Sequence, residues 1–193
     1  MTGKTHAAVG AGAALLGASL LGSDAVVMSA CLGAIGGLLP DVDSKRSKAH
    51  QLSVRIVLGS VFGFCLLFGI QKFTSYEVVN SIGIDTIIGI AGFVTALLVG
   101  GRAPHRGMTH SFVFAAILSI AVMLVFKSAA FYFIIGYLSH LLIDTLNTKG
   151  EQLLWPLPRR FCFGLCKANG LADTVCYWLG MAACGVFLGL AIL

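Results

Sequence analysis

Seven apolar runs free of Lys, Arg, Asp and Glu recur along this chain: Ala7–Ser23, Ala25–Pro40, Ile56–Gln71, Thr86–Gly101, Ser111–Phe126, Ser128–Ser139 and Thr174–Leu193. Such runs have no polar face to turn towards water, so they read as helices whose solvent is lipid or each other. The fold class they predict is all-α: a polytopic integral membrane helical bundle of about seven transmembrane helices, built as one domain over residues 1–193. The sixth helix continues through His140 and Asp144 to about Asn147. Composition points the same way, with 58% hydrophobic and only 11% charged residues, where ordinary globular chains carry about 25% charged. Too little polar surface is left to coat a water-soluble globule, which excludes a soluble enzyme, a nucleic-acid-binding domain and a disordered tail. A run of about 16 residues spans roughly 24 Å against a hydrocarbon core of about 30 Å, so helix ends must lie near polar groups at the membrane edge. The first two runs, joined at Ser23 and Asp24, form either two crossings or one re-entrant hairpin.

The basic residues set the orientation. With seven crossings, one side carries Lys4, Lys45, Arg46, Lys48, Arg55, Arg102, Arg106, Lys149, Arg159, Arg160 and Lys167, and the other only Lys72 and Lys127. This asymmetry places the N-terminus in the cytoplasm and the C-terminus across the membrane. The net charge of +5 thereby becomes an attraction for anionic lipid headgroups. Lys4 ahead of an Ala- and Gly-rich stretch resembles a signal peptide, but no small-x-small site follows, and the segment is expected to be retained. The six cysteines form no CxxC pair and read as packing residues or lone thiols. Glycines four apart at Gly33/Gly37, Gly59/Gly63 and Gly185/Gly189 would let helices approach closely.

All five histidines, His6, His50, His105, His110 and His140, fall on the basic side, as do Asp41, Asp43 and Asp144. Ionisable groups gathered at one end of a membrane bundle mark a functional site. His140 and Asp144 are four apart, hence on one helical face, and Asn147 extends that stripe. In LLPDVDS, 38–44, Pro40 ends a helix and Asp41 and Asp43 follow as a carboxylate pair suited to a divalent cation. HRGMTHS, 105–111, brings His105, Arg106 and His110 to the start of the fifth helix, with Arg106 offering a planar fork that fits phosphate. His6 adds an imidazole at the entrance of the first helix, whereas His50 sits in a lysine-rich loop and reads as solvated surface. Thr5, Thr109 and Ser139 each precede a histidine, a pattern that chance together with helix capping can produce. Imidazole mixed with carboxylate favours zinc, with manganese or iron as alternatives, and the donor count suits one or two divalent transition-metal ions.

At these residues the chain resembles the YdjM-like family of LexA-regulated, membrane-bound metal-dependent hydrolases of bacterial inner membranes. The matching pieces are TH at 5–6, LLPDVDS at 38–44, HRGMTHS at 105–111, GYLSHLLIDTLNTKG at 136–150 and LLWP at 153–156. The resemblance implies a multi-pass protein of the bacterial cytoplasmic membrane with its active site facing the cytoplasm, and metal-site roles for His6, Asp41, Asp43, His105, His110, His140 and Asp144. The function expected is hydrolysis of a lipid or lipid-linked headgroup, with a phosphoester favoured. His6, Asp41, His110, His140 and Asp144 would bind metal. Asp43 would be a second-metal ligand or general base, His105 a ligand or general acid, and Arg106 the stabiliser of charge developing on phosphate. The alternatives are a lipid amidase or esterase using the same metal, and a metal transporter or non-catalytic scaffold. Transport is disfavoured because its site belongs near the bilayer midplane. Trp155 and Pro156 are expected at the interface beside the site. The expected partner is a membrane lipid with an anionic headgroup, not nucleic acid; self-association is left open.

Overall fold

The computed structural model describes residues 1–44 and 83–190, with positions 51, 55 and 59 between them. Lys45, Arg46, Lys48, His50, Lys72 and, apart from position 59, the run Ile56–Gln71 lie outside the described residues. Among those described, the chain is all-helical, without strands: α1 is Gly3–Leu20, α2 Val26–Leu38, α3 Ile84–Gly100, α4 Phe112–Phe126, α5 Ala130–Thr145 and α6 Leu171–Leu190. Short 3-10 turns at Leu39–Asp43, Met108–His110 and Lys127–Ala129 carry the chain out of α2, into α4 and from α4 to α5. Pro40 explains the first, since its ring cannot continue an α-helix. Ser111 caps α4 by accepting the Phe114 N–H at 3.2 Å, which relieves an orphan donor at the helix start.

α1, α2 and α5 pack against one another in a central triangle, α6 lies on α1, α4 on α5, and α3 on α4. Backbone contact makes the triangle tight. A Cβ at Gly136 of α5 would lie 2.0 Å from the Gly33 carbonyl oxygen, and one at Gly37 would lie 2.4 Å from that of His6. No side chain fits at either place, so the Gly33/Gly37 spacing serves helix contact as expected. Gly185 has nothing within 4 Å, and the same spacing in α6 serves no contact here. The cysteines described, Cys31, Cys162, Cys166, Cys176 and Cys184, are free.

Among the described residues, three stretches are long and apolar enough to cross a membrane, Val26–Asp43, Phe112–Thr145 and Leu171–Leu190, and Ile84–Gly100 is apolar but shorter. α1, at 18 residues, matches the shortest of these, yet its first turn holds Lys4 and His6. The outward faces are apolar: Leu20, Val27, Ile84, Ile120, Leu142 and Trp178 are all exposed, as lipid requires and water does not. After α5 the chain returns over one end of the bundle through residues 146–170. Two isolated bridges, Asn147 to Cys166 and Glu151 to Phe161, pin this return.

Candidate metal centre

The helix starts and ends decide which side chains meet. His6 stands in the first turns of α1, Asp41 and Asp43 in the turn after α2, His105 and Arg106 in the loop after α3, His110 at the entry to α4, and His140 with Asp144 near the end of α5. All converge at one end of the bundle. His6, His110 and His140 are fully buried, Asp144 and Asp43 nearly so, while the His105 side chain is 47% exposed. His50, expected to be surface, lies outside the described residues.

The three buried rings form one cluster. His6 stacks on His140 with centroids 3.7 Å apart, and His110 meets His140 edge-on at 5.2 Å. The Nδ1–H of His140 donates to the Gly37 carbonyl at 2.7 Å, and a carbonyl can only accept, so the lone pair of the neutral ring sits on Nε2. His110 is turned alike: its Nδ1 faces Thr109 Oγ1 at 3.1 Å and Asp43 Oδ2 at 3.3 Å. The two Nε2 atoms then confront each other at 3.4 Å, with Asp41 Oδ1 3.7 Å from that of His110. Two nitrogens held about 2.0–2.1 Å from one tetrahedral ion lie about 3.3 Å apart, so this spacing fits a shared cation. Without one, the gap takes a proton. Burial works against charge on His110, but Asp41 and Asp43 outweigh it and hold the imidazolium up to about 10.

Asp43 stands behind the rings rather than among the groups that could share an ion. It accepts from His105 Nδ1 at 2.7 Å, the Arg106 N–H at 3.0 Å and Thr109 Oγ1 at 2.5 Å. That arrangement orients two imidazoles from the far side, as carboxylates behind metal-bound histidines commonly do. Asp144 is the second hub. His6 Nε2 approaches one oxygen at 3.1 Å without hydrogen-bond geometry; Asn147 donates to that oxygen at 2.7 Å, and Arg106 to the other at 2.8 Å. The α-amino group of Met1 also meets Asp144. Arg106 has φ 63, unusual for a non-glycine residue. Its fork is already engaged by Asp144 and the Lys149 carbonyl, so less of it is open to phosphate than the sequence suggests.

Among the described residues, three donor groups are compact enough for a metal: His110, His140, Asp144 and Glu151; His6, Asp41 and His140; and Asp41, His105 and His110. Every expected ligand except Asp43 belongs to at least one of them. Glu151 was not expected. It is fully buried, both its oxygens lack hydrogen-bond partners, as do both ring nitrogens of His6, and burial, reinforced by nearby Asp144, pushes its carboxyl up to about 8 against the pull of His110 and Arg106. The signal available was its position: an acid alone in a basic segment, between two of the matched motifs. Orphaned polar groups this deep call for a ligand, and imidazole with carboxylate suits a divalent transition metal. Trp155, next to this cluster in sequence, is half-buried.

Comparison with known proteins gives the chain a family. The chain matches the family described as YdjM inner membrane protein over residues 1–193. It is 27% identical over 193 residues to the uncharacterized protein YvsG of Bacillus subtilis (strain 168), covering 97% of this chain and 94% of that one. It is 34% identical over 84 residues to the inner membrane protein YdjM of Escherichia coli (strain K12), covering 37% of this chain and 42% of the relative. The Shigella flexneri protein of that name matches to the same extent. No solved structure matches the chain.

Proposed function

Since the chain belongs to the YdjM inner membrane protein family, we propose that it is a membrane-embedded, metal-dependent hydrolase acting at the cytoplasmic face on a lipid or lipid-linked headgroup, at a phosphoester bond. The observation that carries this reading is the pair of Nε2 atoms facing each other at 3.4 Å inside a ring of buried carboxylates. With the seven crossings expected from the sequence, the excess of Lys and Arg would put this end of the bundle on the cytoplasmic side.

His6, Asp41, His110, His140 and Asp144 would hold one or two divalent cations, zinc first among the candidates. Bound there, the metal would supply Lewis acidity and activate water near neutral pH. The chain's own groups do the rest. Asp43 is a positioning residue, keeping His105 and His110 in one tautomer and orientation. His105, the exposed member of the cluster, can pass a proton between solvent and the leaving group. Arg106 lies within reach of Asp144 and offers its remaining N–H groups to an anionic oxygen.

Protein purified from membranes should contain stoichiometric transition metal, and a folded His140→Ala variant should lose it; metal-free wild type would refute the reading. A second reading, hydrolysis of a lipid amide or carboxylic ester, draws on the engagement of the Arg106 fork by Asp144 and Lys149, because that chemistry does not need a phosphate clamp. Mass spectrometry of products from phospholipids and acylamide lipids separates the two. Turnover of a phosphoester that survives in Arg106→Ala removes the role given to that arginine.

A further inference from the structure

One buried carboxylate takes no part in the chemistry proposed for the site. Glu151 is fully inaccessible to solvent and neither carboxylate oxygen has a hydrogen-bond partner, a state that charged groups do not tolerate without compensation. Yet it is held firmly. Its N–H donates to the Phe161 carbonyl at 3.0 Å and its carbonyl accepts from the Phe161 N–H at 2.9 Å, so the backbone cannot swing the side chain out to water. One ligand atom from each of Glu151, His110, His140 and Asp144 lies within 4.8 Å of all the others. Asp144 accepts from Arg106, Asn147 and the Met1 amine; Glu151 accepts a hydrogen bond from none of these, although the charges of Arg106 and His110 act on it and Asp144 lies beside it.

We propose, on the premise that the site is a metal centre, that the Glu151 carboxylate is a direct ligand of the cation held by His110, His140 and Asp144. The loop after α5 thereby closes the cage from the side the helices leave open. Two imidazole nitrogens and two carboxylate oxygens make a neutral set around a divalent ion, which is how two adjacent buried carboxylates can both be ionised. The rival occupant is a proton, with Glu151 a neutral acid beside Asp144.

Cobalt(II) discriminates between these, because its visible spectrum reports the donor set. Full-length wild type, Glu151→Gln and His140→Ala would be purified in detergent, checked for helix content by circular dichroism, stripped with chelator and titrated with Co2+. A ligand role predicts at least a hundredfold weaker binding and a shifted spectrum in Glu151→Gln, which keeps the size and hydrogen bonding of a neutral acid but has no anionic oxygen. Binding within threefold of wild type and an unchanged spectrum, while His140→Ala loses the ion, would overturn the Glu151 assignment and leave the metal centre standing. Failure of wild type itself to bind would overturn the premise. Should Glu151→Gln not fold, the chain's small glutamate content supplies another measurement: Glu77 and Glu151 are its two glutamates. In Glu77→Gln protein labelled with glutamate carrying 13C at the side-chain carboxyl, Zn2+ should move the single remaining resonance. A resonance unmoved by stoichiometric Zn2+ would refute the proposal.

Discussion

Replacing Gly37 by alanine tests whether helix contact and the metal site are one mechanical unit. A Cβ there would sit 2.4 Å from the His6 carbonyl oxygen, where 3.0 Å is the least that real Cβ atoms show, so α1 and α2 must part by at least about 0.6 Å. Overpacking of this kind costs about 1–3 kcal/mol, which for a chain of this length lowers Tm by roughly 2–4 °C per kcal/mol. The movement also reaches the site twice over. It displaces His6, and it displaces the Gly37 carbonyl that fixes the His140 ring at 2.7 Å. Loss of such an orienting contact typically weakens metal binding about 10–100-fold. The assay is thermal unfolding in detergent together with Co2+ titration, for wild type, Gly37→Ala and Gly185→Ala. The last is the control, since nothing lies within 4 Å of its added methyl group. Gly37→Ala with wild-type Tm and wild-type Co2+ affinity would refute the coupling, and a Gly185→Ala variant as damaged as Gly37→Ala would refute its location.

Three further outcomes are expected. Asp43→Asn, which keeps the shape but removes the charge behind His105 and His110, should weaken Co2+ binding about 10–100-fold without abolishing it; complete loss would show that Asp43 is itself a ligand. His110, whose imidazolium is held up to about 10 by Asp41 and Asp43 against its burial, contributes to stability of the metal-free protein fully below about pH 6.5, its ordinary value, and loses that contribution as pH climbs through the folded value. Chelated wild type should therefore melt lower at pH 9.5 than at pH 6.5, and His110→Gln should show a flatter profile. Cysteines placed at Lys149 and Lys127, in a chain whose own cysteines are replaced by serine, should react with impermeant maleimide from opposite faces of the membrane; labelling of both from one face would overturn the orientation.

Much of the site was legible because helices are periodic. His140 and Asp144 had to share a face, and the run lengths put His6, Asp41, His110 and Asp144 at helix ends on one side. Pro40 marked the end of α2 for the plain reason that it cannot propagate a helix. The roles within the cluster were less legible, since which nitrogen of a ring faces a carbonyl depends on the approach of another helix. Asp43 looks like a ligand in sequence, and in the structure it accepts hydrogen bonds from His105, the Arg106 N–H and Thr109. Glu151 was missed because no helical spacing relates it to anything: its place follows from a return of the chain that pairs it with Phe161 ten residues later. Thr109 was read only as a capping hydroxyl and Tyr137 was not singled out, although the Tyr137 hydroxyl donates to the Thr109 carbonyl and steadies the residue that holds His110.

The pairing of Glu151 with Phe161 has a consequence for biogenesis. Donors begin at the sixth residue, yet the last of them is locked in place only when position 161 has left the ribosome. A cation captured earlier would meet an unfinished coordination sphere and escape, so loading belongs after translation is nearly complete. Once seated, the ion would rivet the earliest helix to a late loop, stabilising the entire assembly by about 4 kcal/mol at a thousandfold excess over Kd. Starvation for metal would then surface first as degradation of the protein, before any change in what the remaining copies do.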